Sequence, residues 1–299
     1  MNIEKAKQVP IENILETIGH FPNKKNERDL WYISPFRNEE TPSFHVNVAE
    51  NVWYDFGEGK GGDSVTLICK YLMRQNEDHT VSDALRWISN MSGFSFVEQL
   101  QPSVKNEKPN KWILKKVKPI QNQALINYLK SRGIALGIAE KHLKEVYIRH
   151  SVKPLGIFAL GFKNEDGGYE LRNAFMKTCV YPKNITFIRA TEPNPKGINI
   201  FEGVMDFLAV STRYPKMVIK NDNITLNSAA VVEMAFPYIA GYGYEFLYNW
   251  TDNDNAGKAA TVKIKDFVAT QEGLKHKPMN AIYSPYKDVN EWHVQTLIL

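Results

Sequence analysis

The sequence predicts an α+β domain at the front and, behind it, an α/β domain with a mostly parallel sheet and a flanking α+β subdomain. Residues 1–100 mix short aromatic runs with helical patterns, whereas strand-like and helix-like segments alternate through residues 119–299. Such alternation favours a parallel sheet. A chain of 299 residues is long enough for two domains, each with its own core.

Composition limits the class of protein. Hydrophobic residues make up 43% and charged residues 23%, as in soluble globular proteins. We see no apolar run long enough for a membrane span and no secretory leader, so no membrane partner is expected. The only cysteines, Cys69 and Cys179, are far apart, which predicts no disulfide framework and a cytoplasmic location. A net charge of +4 permits nucleic-acid binding without requiring it.

Three helices are predicted in the front domain. The first begins at Pro10 and closes near Gly19, and the second follows Gly62. The third runs from Thr80 to about Met91, and Thr80 with Asp83 forms a capping-box signal. The lysine-rich residues 101–118 are interpreted as a linker, either a solvated tether or a segment that touches a phosphate backbone.

In the back half, the chemistry is expected where strands end. We predict strands at 198–201, 246–250 and 279–283, and helices at 204–213 and 256–270. Ligands of parallel sheets bind beyond the carboxyl ends of the strands, and Glu202 and Asp252 both fall at such ends.

Acidic residues form three clusters there. These are Glu202-Gly203-Val204-Met205-Asp206, Asp252-Asn253-Asp254, and Asp288 to Glu291. Gathered carboxylates repel one another unless a cation joins them, and oxygen ligands select a hard ion such as Mg²⁺. The Glu-Gly pair or the Asp-x-Asp motif is weak evidence when it occurs alone, because most Glu-Gly pairs are turns and Asp-x-Asp is more often a solvated loop or a helix cap.

Together, Glu-Gly-x-x-Asp at 202–206 and Asp-x-Asp-x-Ala-Gly at 252–257 resemble the Toprim domain shared by bacterial primases, topoisomerases and some nucleases. Residues 128–134, 168–177 and 224–229 resemble primase segments in particular. The resemblance implies a basic subdomain at 119–196 and a Toprim domain at 197–299. It implies catalysis by Glu202, Asp252 and Asp254, with Mg²⁺ or Mn²⁺ held by Glu202, Asp206, Asp252, Asp254 and Asp288. It also implies nucleotide or template binding by Arg172, Asn173, Lys177, Arg132 and Lys258, although Arg172 is equally typical of an ordinary surface charge and Lys177 is more typical of one.

Residues 31–44 and 52–63 resemble the zinc-ribbon domain of primases, predicted here at residues 1–100. That family has Cys, His, Cys and Cys where this chain has Ser34, Arg37, Asp55 and Glu58. A structural Zn²⁺ site needs thiolate or imidazole ligands, so no zinc is expected. We hypothesise that an ion pair replaces the metal: Arg37, bidentate to Asp55, would face Asp55 and Glu58. Most of the stability would then come from burial of aromatic side chains, namely Trp31, Phe36, Phe44, Trp53 and Phe56.

The front domain is also a candidate for binding template, since aromatic side chains beside basic ones can stack bases along a charged track. The alternative is that most of these aromatics are core. The candidates are Trp31, Tyr32, Trp53 and Tyr54 with Arg37 and Lys60.

The resemblance implies a DNA primase of the compact type found on mobile elements. It would make short RNA primers on single-stranded DNA by Mg²⁺-dependent nucleotidyl transfer. Its partners would be single-stranded DNA, nucleoside triphosphates and a replicative helicase. Two alternatives stay open: a Toprim-type nuclease, and a catalytically retired protein that binds single-stranded DNA or regulates a mobile element.

Overall fold

The computed structural model describes residues 3–91, 112–153, 155–192 and 195–297. The chain divides into two compact units, Met1–Ser103 and Val104–Leu299. Within the described ranges, none of the helices has the length and apolar character needed to cross a membrane.

The first unit is an antiparallel sheet with helices before and after it. Its strands follow the order β1-β2-β3-β4-β5. In chain order its elements are α1 (Ile3–Lys7), α2 (Ile11–Thr17), β1 (Lys24–Lys25), β2 (Asp29–Tyr32), β3 (Phe44–Asn47), β4 (Val52–Asp55), β5 (Lys60–Gly62), α3 (Ser64–Arg74) and α4 (Val81–Met91).

The three helices predicted in this unit are confirmed, and their ends have local causes. The Asp63 side chain accepts a hydrogen bond from the Thr66 N–H and caps α3. Before α4, the Thr80 N–H donates to Asp83 Oδ2 (3.0 Å) and the Asp83 N–H donates to Thr80 Oγ1 (3.2 Å). This reciprocal pair is the predicted capping box.

The second unit contains two five-stranded sheets. In chain order its elements are β6 (Trp112–Lys118), α5 (Gln123–Ser131), α6 (Leu136–His142), β7 (Leu143–His150), β8 (Gly156–Lys163), β9 (Tyr169–Arg172), β10 (Lys177–Val180), β11 (Thr186–Ile188), β12 (Gly197–Phe201), α7 (Val204–Arg213), α8 (Pro215–Lys220), β13 (Asp222–Thr225), a 3₁₀ segment (Ala229–Tyr238), β14 (Phe246–Trp250), α9 (Asn255–Ala269), β15 (Lys275–Pro278), a 3₁₀ turn (Asn280–Ile282) and α10 (Val289–Leu297).

The two sheets differ in pairing. Strands β6 to β10 pair antiparallel in the order β10-β9-β8-β7-β6. The other sheet is mixed, with the order β11-β13-β12-β14-β15: β12 runs parallel to β13 and β14, β14 runs parallel to β15, and β11 is antiparallel to β13. Helix α7 is buried over most of its length and packs in the core beside this mixed sheet.

Two predicted segments differ from the structure. The third strand lies at Lys275–Pro278 rather than 279–283. The Met279 N–H still donates to the Asn249 carbonyl (2.9 Å), but the chain then turns at Asn280–Ile282, and Tyr283 donates its hydroxyl to the Thr251 carbonyl (2.6 Å). Trp112–Lys118 is not linker but strand β6, whose Trp112 packs against His150. The rest of the predicted linker, 101–111, lies outside the described residues.

A buried carboxylate joins β6, α5 and β7. Glu145 is fully buried and accepts hydrogen bonds from the Tyr147 hydroxyl (2.5 Å) and from the N–H groups of Gln121 (2.9 Å) and Asn122 (2.8 Å), and Lys118 Nζ lies 3.3 Å away. Burial alone would raise the pKa of Glu145, but these donors outweigh it and lower the pKa to about 2.

We expect Glu145→Gln to lower the free energy of unfolding by about 2–3 kcal/mol at pH 7. Because the pKa of Glu145 is depressed in the folded state, its contribution is present above about pH 5 and is lost as the pH falls toward 2. Urea unfolding between pH 7 and pH 3 should therefore show a shallower loss of stability in the variant than in the wild type. Glu140→Gln, at an exposed position on α6, is the matched control, and equal slopes in all three proteins would contradict the assignment.

Candidate metal and nucleotide site

The two principal carboxylates lie at the ends of neighbouring parallel strands. Glu202 directly follows β12, and Asp252 follows β14 after Thr251. These strands pair in register, with Phe201 opposite Trp250. The Asp252 N–H donates to Glu202 Oε2 at 3.2 Å. The predicted juxtaposition of Glu202 with the Asp252 loop is therefore present in the structure.

Two further acids border this pair. Asp206, in the first turn of α7, is buried and accepts a hydrogen bond from the Asn290 N–H at 3.0 Å. Asp288 immediately precedes α10 and accepts a hydrogen bond from the Glu291 N–H at 2.7 Å. Burial, reinforced by the charge of Asp288, raises the pKa of Asp206 to about 7.

Mutual repulsion characterises the cluster. Burial, together with the charges of Asp206 and Glu202, raises the pKa of Asp252 to about 8. The pKa of Glu202 is also raised, first by burial and then by the charge of Asp254. Carboxylates that disfavour one another's ionised forms are positioned to gain from a cation.

Asp254 lies in a different environment. It caps α9 by accepting hydrogen bonds from the N–H groups of Ala256 and Gly257, both at 3.0 Å, and Lys287 Nζ lies 3.3 Å from its other oxygen. The Gly257 hydrogen bond is the largest cause of its lowered pKa. A Cβ at Gly257 would lie 2.1 Å from the Asp252 carbonyl oxygen, so the motif needs glycine there.

The carboxylates fit an open metal site, in which the protein supplies only part of the coordination shell of the ion. Among the described residues, no group of three or more His, Cys, Asp and Glu side chains is assembled closely enough to hold an ion by itself. Mg²⁺ commonly uses only one or two carboxylates and completes its shell with water and substrate phosphates. The oxygen-only donors Glu202 and Asp252, with raised pKa values, fit that mode of binding.

The predicted arginines lie close to Asp206. Arg172 is buried rather than on the surface, and its guanidinium donates to the Leu171 carbonyl (3.1 Å) and lies 3.5 Å from Glu170. Burial lowers the pKa of Arg172, while Glu170 and Asp206 raise it. Arg132 ends α5 and lowers the pKa of Asp206 by its charge, and its buried Nε has no hydrogen-bond partner in the part of the chain that the structure describes.

The other three residues predicted to bind nucleotide or template differ in their exposure and in the hydrogen bonds that they already form. Lys177 is exposed and close enough to lower the pKa of Glu202 by its charge. The Asn173 side chain is occupied in the β9–β10 turn, where it donates to the Phe158 carbonyl and accepts from the N–H groups of Phe175 and Met176. Lys258 lies exposed on α9.

Sequence reasoning missed Lys287. Besides contacting Asp254, its charge lowers the pKa of Glu202. The Asn253 N–H donates to the Lys287 carbonyl (2.7 Å) and the Asn253 side chain donates to the Tyr286 carbonyl (2.8 Å), so this segment is fixed to the acidic loop. The only signal in the sequence is its position beside Asp288.

In the first unit, Asp55 is the centre of the former zinc-ligand positions. It is fully buried and accepts hydrogen bonds from Ser34 Oγ (2.8 Å), Arg37 Nη1 (2.5 Å) and the Gly57 N–H (3.0 Å). Burial alone would raise the pKa of Asp55, but the hydrogen bonds from Arg37 and Ser34 and the charge of Arg37 lower it. The hypothesised ion pair between Arg37 and Asp55 is therefore present.

Its details were predicted wrongly. Arg37 gives only one N–H group to Asp55, and its other terminal nitrogen contacts Glu39 at 2.6 Å. Glu39 is held there by the Ser34 N–H (2.7 Å) and the Ser43 hydroxyl (2.8 Å). Glu58 does not face Arg37 but pairs with Lys70 and Arg74 on α3, because its side chain extends toward that helix.

The aromatic residues divide between core and surface. Tyr32, Phe36, Phe44 and Trp53 are buried, so Tyr32 and Trp53 are not available to stack template bases. Phe56, predicted to be core, is 59% exposed and stacks on Trp31 with ring centroids 5.6 Å apart, and the partly exposed Tyr54 contacts it at 4.8 Å. Arg37 is committed to the buried cluster. An exposed aromatic surface therefore comprises Tyr54, Phe56 and the partly exposed Trp31.

Three families match separate parts of the chain. Residues 3–102 match the family described as CHC2 zinc finger, and residues 199–293 match the Toprim-like family. Residues 114–181 match a domain of unknown function, DUF8464. The predicted order, a zinc-ribbon type domain followed by a Toprim domain, is confirmed.

Curated relatives are DNA primases. The Legionella pneumophila DNA primase is 27% identical over 127 residues, which cover 42% of this chain and 22% of the relative. The Halalkalibacterium halodurans DNA primase is 29% identical over 103 residues, covering 34% and 16% respectively. The matches thus span about a fifth of these relatives' length. The crystal structure of the zinc-binding and RNA polymerase domains of the Aquifex aeolicus primase is 17% identical, aligns over 100% of this chain and 84% of that one, and superposes with a TM-score of 0.41. Over these matched segments the chain is similar to DNA primases, with a segment that matches the CHC2 zinc-finger family ahead of a segment that matches the Toprim-like family.

Proposed function

We propose that this protein synthesises short RNA primers on single-stranded DNA by Mg²⁺-dependent nucleotidyl transfer. The observation that carries the proposal is the contact between the Asp252 N–H and Glu202 at the ends of two adjacent parallel strands, inside a cluster of acids that raise one another's pKa values. Such a cluster costs stability unless it serves a cation.

Glu202 and Asp252 would hold the ion, Mg²⁺ or Mn²⁺, with Asp206, Asp254 and Asp288 bordering it. When bound, the ion would neutralise these acids and stabilise the charge that develops on a transferring phosphoryl group. Asp254 would also fix the start of α9, since it caps that helix.

Basic side chains would bind and orient the nucleotide phosphates. Lys177 and Lys287 both act electrostatically on Glu202, so their ammonium groups lie near enough to receive phosphates beside it. The charges of Arg172 and Arg132 interact with that of Asp206, so these two side chains would position Asp206. Such positioning is a large part of catalysis in phosphoryl transfer.

The first unit would bind the single-stranded template through its exposed aromatic surface. Trp31, Tyr54 and Phe56 offer stacking area, and Lys24 lies opposite Trp31 across the β1–β2 pairing. Stacking on aromatic rings beside positive charge is how sequence-tolerant binding of single strands is achieved. Association with a replicative helicase and a cytoplasmic location belong to the same proposal.

The experiment compares the wild type with Glu202→Gln on single-stranded DNA, with labelled ribonucleotides and Mg²⁺. New short RNA that falls by about 100-fold or more in the variant supports the proposal, because the substitution removes one anionic ligand while keeping the shape of the side chain. Glu272→Gln, an exposed change of equal charge, is the control and should keep full activity.

Other results would reject primer synthesis. Shortening of the template, lost in Glu202→Gln, would identify a Toprim nuclease instead. Template binding without chemistry, unchanged in the variant, would identify a retired single-strand-binding protein, the alternative that the missing zinc ligands favour.

A further inference from the structure

The antiparallel sheet β6–β10 curls on itself. Its two edge strands, β6 and β10, contact each other, so the sheet approaches a closed barrel. Apolar side chains fill the inside, namely Val146, Ile148, Ala159, Leu171 and Val180. The mouth of such a barrel is a common place for a small-molecule site.

A cavity of about 390 Å³ opens beside this apolar interior. Its lining includes Lys118, Lys144 and Lys163 from three adjacent strands, together with His142 and Tyr169. The volume falls within the range of known ligand pockets, which runs from about 300 to 1,000 Å³. None of these residues belongs to the carboxylate cluster around Glu202.

The charge of this cavity is positive and largely uncompensated. Lys118 is balanced by Glu145, 3.3 Å away. Lys144 and Lys163 are exposed, and neither forms an ion pair within the described parts of the chain. The uncompensated ammonium groups of Lys144 and Lys163 repel each other, and an anion that enters between them relieves that repulsion.

The floor of the cavity is shaped by the absence of a side chain. A Cβ at Gly161 would lie 2.3 Å from Val146 Cγ2 and 3.1 Å from the Tyr169 ring. Lys144 pairs with Gly161, and Lys163 pairs with Tyr169 on the neighbouring strand. Because Gly161 has no side chain, the Tyr169 ring can lie against the sheet between the two lysines. The opening thus presents an aromatic ring beside two positive charges.

We propose that this cavity binds a nucleoside triphosphate, at a site distinct from the carboxylate cluster. Lys144 and Lys163 would hold the phosphates as point charges, and Tyr169 would give the base or sugar an aromatic wall. The size of the cavity and its place at a barrel mouth favour a free nucleotide over the extended backbone of a nucleic acid, which needs a groove that continues past several phosphates.

The test measures binding of a fluorescent ATP analogue to the full-length protein in EDTA, where a metal-dependent site cannot contribute. The variant is Lys144→Gln/Lys163→Gln. The control is Lys216→Gln/Lys220→Gln, an equal change of charge at exposed positions in the same unit. We expect the dissociation constant to rise about 10-fold or more in the first pair and less than about 2-fold in the second, because only the first pair removes convergent phosphate ligands.

Equal weakening in both pairs, or none in either, would overturn the proposal. So would binding of a single-stranded oligonucleotide through Lys144 and Lys163 without binding of the ATP analogue. A second measurement needs no variant: ATP should protect Lys144 and Lys163 from chemical acetylation in the wild type but leave Lys216 and Lys220 reactive, and the absence of protection would count equally against the site.

This inference does not depend on primer synthesis. Glu202→Gln should bind the ATP analogue in EDTA as the wild type does, so loss of catalysis and loss of this pocket are separate results.

Discussion

In the metal-free protein, Asp252→Asn is expected to raise the free energy of unfolding by about 2–3 kcal/mol at pH 8, because it removes a charge that burial and the charges of Asp206 and Glu202 oppose. The amide keeps the shape of the side chain, and the Asp252 backbone N–H that contacts Glu202 is unaffected. A residue whose removal strengthens the fold is typical of a functional site.

The direction of the pH dependence follows from the raised pKa. The folded state favours the protonated form of Asp252, whose pKa of about 8 lies far above that of an unfolded aspartate. Asp252 therefore costs the folded protein more stability as the pH rises from about 4 to 8, and the gain from Asp252→Asn grows over the same interval. Urea unfolding of both proteins in EDTA at pH 5 and pH 8 measures this gain in stability. Asp266→Asn, at an exposed position on α9, should give no such gain.

Mg²⁺ should reverse the order of stability of the wild type and Asp252→Asn. An ion that binds only the folded protein stabilises it, so adding Mg²⁺ at pH 8 should raise the melting temperature of the wild type and of Asp266→Asn. Asp252→Asn should show little rise because it lacks one ligand. If Mg²⁺ stabilises all three proteins equally, the ion binds elsewhere and the proposed metal site is wrong.

The juxtaposition of Glu202 and Asp252 was predictable because it depends on topology. Two short strands, each ending in an acid, become neighbours in a parallel sheet, and the carboxyl ends of such strands lie at one edge. The helices that follow were predicted almost to the residue, since Gly203 and Asp254 give clear signals for their starts. These features depend on local sequence and a simple rule of sheet architecture.

The details that were missed depend on which side chains meet in three dimensions. Nothing in the order of residues 34–43 indicates that Arg37 would divide its donors between Asp55 and Glu39, because Glu39 is placed by the Ser34 N–H and the Ser43 hydroxyl. Similarly, Met279–Tyr283 has the composition of a strand, but the buried hydroxyl of Tyr283 needs the Thr251 carbonyl as an acceptor. Lys287 lacks a motif and is recognised only by its 3.3 Å contact with Asp254.

Restoring all four zinc ligands should convert the first unit into a zinc protein. In Ser34→Cys/Arg37→His/Asp55→Cys/Glu58→Cys, we expect one Zn²⁺ per chain, because Ser34 and Arg37 already contact Asp55, and the Glu58 N–H lies 3.2 Å from the same carboxylate. Elemental analysis and thermal unfolding with and without a chelator measure the outcome. The wild type should bind no stoichiometric zinc, and its unfolding should not respond to the chelator.

The matched control is the same variant with Asp55→Ala in place of Asp55→Cys. In the wild type, fully buried Asp55 holds the cluster together by accepting from Ser34, Arg37 and the Gly57 N–H. The control lacks all three side chains of this cluster and has no complete zinc site to replace it, which should cost about 3–5 kcal/mol relative to the wild type. The control should therefore be less stable than the wild type at any zinc concentration, whereas the four-ligand variant should recover because metal binding supplies folding free energy. Equal zinc binding in both variants would mean that position 55 is not part of the coordination geometry, and the polar cluster would then be a new arrangement rather than the zinc framework with its metal replaced.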